Sequence, residues 1–320
     1  MSARADRPMT ARTPAGAAAG ALSALAMRLP EPLLVALAEM AGEAWFRLTP
    51  RRAALARANL RRVCRALAED GRASARVRRA AEDERALTVL VRSAYRHLAR
   101  YYLEVARTPA FDRAYLDRHL VVETPDLVAT ALVPGRPLIV VGLHFGALEV
   151  PAVLVAQAVG TSVSAPMEEV RDEGLQAWFV RSRSRVGVRI VSLAAARREL
   201  TAALARSEPV GLVADRDLTG GGIEVPFFGH PAAMPIGPAL LAVESGAPMV
   251  VGGVRRSGRD RYRGRLIAVD TPAAGTRRER VSTLVRGLAA AFESIIADAP
   301  DQWWACFHPV WPDIGPEAGR

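Results

Sequence analysis

The chain has 320 residues, of which 50% are hydrophobic, enough to bury the core of a large α/β domain and to exclude global disorder. Its net charge is +10 and all 43 lysine-plus-arginine positions are arginine, which excludes a Walker-type phosphate lysine and Schiff-base chemistry. The two cysteines, Cys64 and Cys306, have neither CxxC spacing nor a histidine cluster beside them, so neither a disulfide framework nor a metal site is expected.

Residues 1–18 are rich in Ala, Arg, Thr and Pro and read as a disordered tail; residues 19–320 read as a single domain. Within it, 19–110 is expected to be helical and membrane-facing and 111–320 to be the α/β core. The stretch GALSALAMRLPEPLLVALAEMAGEAWFRLTP is apolar but is interrupted by Arg28, Pro30, Glu31, Pro32 and Glu39. No run reaches the roughly 18–20 apolar residues of a spanning helix. Arginines before an Ala-rich stretch ending at Ala24–Ala26 match a secretion signal only weakly, because that stretch is weakly hydrophobic. Two readings stay open: short amphipathic helices lying on a membrane, with Trp45 and Phe46 at its boundary, or ordinary packing onto the domain.

Residues 51–100 contain 14 arginines against 5 acidic residues, so nearly all of the excess charge lies there. Such a segment suits an anionic membrane surface, a nucleic acid or a phosphorylated ligand, or is simply a solvated helix face. Aromatic residues do not alternate with basic ones as a single-strand binder requires, and no nucleic-acid partner is expected. Leu55, Leu60, Val63 and Leu67 mark a helix, and ERALTVLVRSAYRHLARYYLEVAR a second one stopped at Thr108-Pro109.

Beyond residue 130 strands and helices alternate. RPLIVVGL, TSVSAPM, VRIVSL, PVGLVA, APMVVGGVRR and RYRGRLIAV read as strands. ALEVPAVLVAQAVG, DEGLQAWFVRSRSRVG, AAARRELTAALAR, PAAMPIGPALLAVESG and RRERVSTLVRGLAAAFESIIADAP read as helices, and DRDLTGGGIEVPFFGH as a loop. The fold class is therefore α/β, a mostly parallel or mixed sheet flanked by helices and preceded by a helical region.

The chemistry concentrates at His144, which closes an apolar strand, with Glu149 five residues on. Positions i and i+5 of a regular helix do not face each other, so the two meet only if the backbone turns at Gly146. Glu149 would then lie in a first helical turn, where the helix dipole favours its ionised form, and could orient the imidazole as a general base. A core histidine satisfied by a carboxylate is the plainer alternative. The position beyond a strand's carboxyl end, where α/β sheets bind ligands, favours the base. There is no G-x-S-x-G elbow, so the nucleophile would come from the substrate.

HFGALE resembles the H-x4-D/E motif of the glycerolipid acyltransferase superfamily. ADRDLTGGGIEVPFFGHPAAMPIGPALLAVESGAP resembles the second signature of the lipid A lauroyl/myristoyl acyltransferase family, and is closer still to the actinobacterial phosphatidylinositol mannoside acyltransferases. VRSRSRVGVRIVSL resembles that family's arginine-bearing helix and following strand, and APDQWWACFHPVW its closing segment. The likeness runs in order from about residue 20 to residue 313. The chain departs from it at Phe145-Gly146-Ala147-Leu148, where relatives often carry Asn-Trp, and at Ala165-Pro166, where they carry Ala-Glu.

The resemblance implies a transfer of acyl groups from acyl-CoA, a co-substrate with no further cofactor, to a hydroxyl of a membrane glycolipid at the cytoplasmic face of an anionic membrane. It implies His144 as base, Glu149 as the acidic member of the motif and Glu224 as a second acid coupled to the histidine. It implies Arg183, Asp215 and Arg216 as substrate-binding positions. A lysophospholipid or another glycolipid is the alternative acceptor, and an inactive basic membrane-binding protein the alternative class. Read without the resemblance, Arg183 between Arg181 and Arg185 fits a solvated face equally well. Asp215 and Arg216 fit a pair that holds a loop, Phe227 and Phe228 fit core packing, and Gly220–Gly222 a flexible turn. His230 and His308 read as structural or surface residues, and Trp303, Trp304 and Trp311 as either core or lipid contacts.

Overall fold

The computed structural model describes residues 13–217 and 220–315. The N-terminal part is helical: α1 (Pro14–Ala26), α2 (Glu31–Leu48), α3 (Pro50–Glu69), α4 (Ala75–Glu82) and α5 (Glu84–Arg107). There follow α6 (Arg113–His119), β1 (Leu120–Val122), α7 (Pro125–Ala131), β2 (Leu138–Gly142), α8 (Glu149–Val159), β3 (Val163–Met167), α9 (Glu173–Ser184) and β4 (Val188–Ser192). The chain closes with α10 (Ala196–Ala205), β5 (Pro209–Val213), β6 (Ile223–Phe227), β7 (His230–Met234), α11 (Gly237–Ser245), β8 (Met249–Arg256), β9 (Tyr262–Val269) and α12 (Arg277–Asp298).

Local chemistry explains the main boundaries. Asp83 caps α5 through the amides of Arg85 and Ala86, and buried Leu87, Leu90, Val91, Ala94 and Leu98 give it one apolar face. A reciprocal Thr276–Glu279 capping box starts α12. Gly160, in the left-handed conformation, ends α8. The expected tail is shorter than its composition suggests: residues 14–18 already belong to α1, while residues 1–12 lie outside the described part. Of the two readings left open for Trp45 and Phe46, packing onto the domain is seen: both rings set against Tyr95.

Seven strands form one sheet in the order β1-β9-β8-β2-β5-β3-β4. Pairing is parallel throughout except between β8 and β9. β2 is central and buried along Leu138–Val141 because helices cover both faces of the sheet. The pleat divides its side chains: Ile139 and Val141 join the large core shared with α3, α5, α11 and α12, while Leu138 and Val140 join a smaller core beneath α7 and α8. The expected order of alternating strands and helices is thus present.

One segment differs from expectation. Residues 223–234, read as a loop and the start of a helix, form the antiparallel hairpin β6–β7, so that α11 begins only at Gly237. Its tight turn has Phe228 at φ +48° and Gly229 at φ +74°. Two successive positive φ values match the twist a two-residue hairpin needs.

Candidate active site

The sheet register builds the site. β2 and β5 are parallel neighbours, and Gly142 lies opposite Val213. Two residues further along each chain, His144 therefore meets Asp215 beyond the carboxyl ends of both strands. The Nδ1–H of His144 donates to Asp215 Oδ1 at 2.6 Å, and the His144 amide donates to Oδ2 at 3.0 Å. The Trp303 indole donates to the same Oδ2 at 2.9 Å. Asp215 is fully buried, whereas the His144 side chain keeps 15% of its surface exposed.

Burial alone would push the Asp215 carboxyl up. The charge of a protonated His144, its ring and amide hydrogen bonds and the Trp303 indole outweigh that effect and hold the carboxyl below the usual carboxylate range. An anionic acceptor at Nδ1 fixes the ring tautomer, leaving the lone pair on Nε2. Arg216 Nη2 stands 3.4 Å from that Nε2. Thus, among the described residues, Asp215 and Arg216 do not pair with each other; they approach opposite edges of one imidazole.

The segment after α12 completes the floor. Trp304 donates its amide to the His144 carbonyl at 2.8 Å, and Gly146 donates to the Gln302 carbonyl at 2.9 Å. Trp303 is fully buried, so it closes the core while bonding Asp215. Trp304 stacks on Tyr101 and sets its edge on the His144 ring, at centroid distances of 4.4 and 4.5 Å. Gly146 turns the chain at φ +50°, and a Cβ there would stand 2.0 Å from the Val254 carbonyl oxygen of β8. Only glycine fits this crossing.

Glu149 begins α8 as its first residue, but it does not reach His144. Its carboxylate takes two hydrogen bonds from Arg183 of α9, at 2.6 and 3.1 Å, and both side chains are largely buried. Arg183 is therefore no solvated residue. Burial disfavours its charge, yet Glu149 more than compensates and raises its pKa. Glu224 is also apart from the histidine: it lies exposed on β6 opposite Ala233 and makes no ion pair with His144 among the described residues. The expected partners of His144, Glu149 and Glu224, are thus both replaced by Asp215, because strand register governs who meets the ring and sequence spacing does not.

A family model described as bacterial lipid A biosynthesis acyltransferase matches residues 8–312. The chain belongs to that family. It is 31% identical over 226 residues to the phosphatidylinositol mannoside acyltransferase of Mycolicibacterium smegmatis, covering 69% of this chain and 72% of that relative. It is also 31% identical over 218 residues to the protein of the same description from Mycobacterium tuberculosis, covering 66% and 67%.

The protein is thus an acyltransferase, as its sequence resemblance implied. In this acyltransferase some neighbours of the site had no individual signal in the sequence. Tyr101 of α5 reaches it through tertiary packing, stacked on Trp304 and beside Arg183. His308, expected to be structural or on the surface, is half-buried near Arg216 and His144; burial, then the charges of Arg216 and Arg52, lower its pKa to about 4, so it is neutral at pH 7. Phe227, Phe228 and Trp311 are buried core residues, in keeping with the packing read for the phenylalanines. Among the described residues no His, Cys, Asp and Glu group is arranged to hold a metal ion.

Proposed function

We propose that this acyltransferase moves a fatty acyl chain from acyl-CoA to a hydroxyl of a membrane glycolipid, a phosphatidylinositol mannoside, with His144 as general base. The observation that carries the proposal is the buried Asp215 on Nδ1, which leaves the lone pair of the partly exposed ring on Nε2. An acceptor hydroxyl at Nε2 gives up its proton to the imidazole. Its oxygen attacks the thioester carbonyl, the carbon–oxygen bond forms and the carbon–sulfur bond breaks. The imidazolium returns the proton to the departing CoA thiolate. Asp215 stabilises the imidazolium between the two transfers. Arg216, beside the same nitrogen, is suited to hold the developing oxyanion. Glu149 and Arg183 act as a pair that fixes the start of α8 against α9; Arg183 holds the substrate side of the site through that pair. Glu224 has no step in this scheme.

The same reading places the enzyme on the membrane surface, at its cytoplasmic face. Leu22 and Leu25 of α1 and Leu33, Leu37 and Met40 of α2 are each about half exposed or more. No described helix is long and apolar enough to cross a membrane. Arg51, Arg65, Arg78, Arg79 and Arg85 are exposed and have no ion pair among the described residues, which suits an anionic lipid surface. The phosphatidylinositol mannoside acceptor is supported by the two relatives described that way.

The test is to incubate the purified protein with palmitoyl-CoA and a phosphatidylinositol mannoside, then with a lysophospholipid. Free CoA is followed, and the products are weighed by mass spectrometry. Acylated mannoside is expected. CoA release only with the lysophospholipid would reassign the acceptor, and no CoA release with either would remove the donor.

A further inference from the structure

A cavity of about 480 Å3 is lined by residues 298–302, which precede the Trp303–Trp304 pair beside His144. Asp301 and Gln302 line it, whereas Trp303 and Trp304 face the histidine and its carboxylate. Five arginines reach its wall: Arg76, Arg100, Arg255, Arg256 and Arg259. Three already have close carboxylate partners. Arg76 pairs with Asp301 at 2.8 Å, Arg255 with Glu123 at 2.6 Å and Arg256 with Glu104 at 2.5 Å.

Arg259 and Arg100 are different. Arg259 is exposed and has no ion pair among the described residues. Arg100 is 5% exposed, and its one carboxylate contact is Glu39 at 3.5 Å. Its Nε has no acceptor, and its Nη2 donates to the carbonyls of Gly258 and Arg259. Burial and the neighbouring Arg256 both depress the Arg100 pKa, the mark of a cation short of counter-charge. The wall also carries Glu39, Asp298 and Asp301, paired with Arg100, Arg255 and Arg76, so five arginines face three carboxylates. His97, partly buried beside them, adds no positive charge at pH 7, because burial, then Arg256, lower its pKa to about 3. The amides of Gly258 and Arg259, at the tip of the β8–β9 turn, donate to no protein carbonyl among the described residues. Unpaired guanidinium and amide donors around one hollow are the elements of an anion site.

We propose that this cavity binds a phosphate group, held by Arg259 and the tip of the β8–β9 turn beside buried Arg100, with Arg76 shared between the phosphate and Asp301, as a site separate from the His144 centre. The volume exceeds that of one phosphate and admits a phosphate ester. The ester comes either from a lipid headgroup or from a soluble phosphorylated molecule. The bound group would sit against the loop of the catalytic histidine, because Arg256 donates to the Gly146 carbonyl at 3.0 Å and Gln302 bonds both the amide and the carbonyl of Arg256 at 2.8 Å.

The full-length protein is titrated calorimetrically with inorganic phosphate and with glycerol 3-phosphate at constant ionic strength. Saturable binding is expected, with Arg259→Gln and Arg76→Gln each weakening it about tenfold, as loss of one charge-assisted hydrogen bond does. Arg76→Gln also frees the Asp301 carboxylate to repel the anion. Both side chains are exposed enough for the variants to fold, which circular dichroism verifies. Arg216→Gln should leave the binding unchanged. Binding of phosphatidic acid vesicles that falls in the same two variants assigns the headgroup; vesicle binding indifferent to them assigns the soluble ester. The proposal is overturned if no saturable phosphate binding is seen, if acetate competes as well as phosphate, if both cavity variants bind like the parent, or if Arg216→Gln alone abolishes binding.

Discussion

A histidine whose Nδ1 is held by a buried carboxylate differs chemically from one that is merely packed. The buried Asp215 carboxylate accepts three hydrogen bonds, two from His144 and one from Trp303. Asp215→Asn keeps the volume but offers the ring a neutral partner and allows the wrong tautomer. The expected loss in kcat is about 10²–10⁴-fold with KM little changed, measured as acceptor-dependent CoA release. Glu224→Gln should leave the rate within about twofold of the parent, since an exposed side chain away from the ring contributes no transition-state charge. Acid stability has a sign that follows from the same residues. His97 and His308 are neutral in the folded protein, with pKa values of about 3 and about 4 against 6.5 in the unfolded chain. The unfolded state therefore binds more protons below about pH 6.5, and stability falls as pH drops from there through the folded values. Asp215 acts in the same direction at lower pH. Its depressed pKa gives stability that is complete above 3.8 and is lost as pH falls through the folded value. A His97→Gln, His308→Gln double variant should show a flatter decline of Tm between pH 6.5 and pH 4. An unchanged slope would show that other groups carry it.

At the scale of elements, what was legible in the sequence and what was not divide along a physical line. The apolar run Leu138–Val141, the Gly160 stop and the amphipathic face of α5 declare themselves locally, because burial on one or both faces dictates residue type. The β6–β7 hairpin did not, since Pro226 and Pro231 interrupt its alternation and Phe228, a bulky residue, takes the positive φ where asparagine or glycine is the usual signal. The His144–Asp215 pairing was hidden for another reason. It follows from β2 and β5 being neighbours in the sheet, a fact that no spacing along one chain encodes. The turn at Gly146 was legible as a bend, but its close crossing over β8 was not. Gly146→Ala must push a Cβ into the Val254 carbonyl, so either β8 or the His144 loop moves. A destabilisation of about 2–3 kcal/mol is expected in urea unfolding, with activity falling further than stability. Arg256 belongs to the same support. It is 1% exposed in its side chain, bonded twice to Glu104 and once to the Gly146 carbonyl. Arg256→Ala leaves Glu104 buried without its partner and should cost about 3–5 kcal/mol, read as a shift in the urea midpoint.

At the scale of the whole molecule, the helical half and the sheet half meet at the site. α5 supplies Tyr101 beneath Trp304 and Glu104 beside Arg256, so the N-terminal region that would touch lipid is also a wall of the His144 site. The basic excess of residues 51–100 is only partly free for an outside partner, because Arg57 and Arg61 pair with Glu84, Arg62 with Asp313, and Arg92 and Arg96 with Glu43. Membrane seating should therefore depend on the exposed leucines as well as on charge. Leu33→Glu combined with Leu37→Glu is expected to abolish co-sedimentation with anionic vesicles at physiological salt, where the parent binds and is released only as salt rises. Binding by the double variant equal to the parent's would move the membrane contact elsewhere. The measurement that bears most directly on the whole account is CoA release from palmitoyl-CoA by His144→Gln in the presence of the glycolipid acceptor. The account predicts a rate lower by about 10²–10⁴-fold with fold and Tm retained. A variant that turns over as fast as the parent would contradict it.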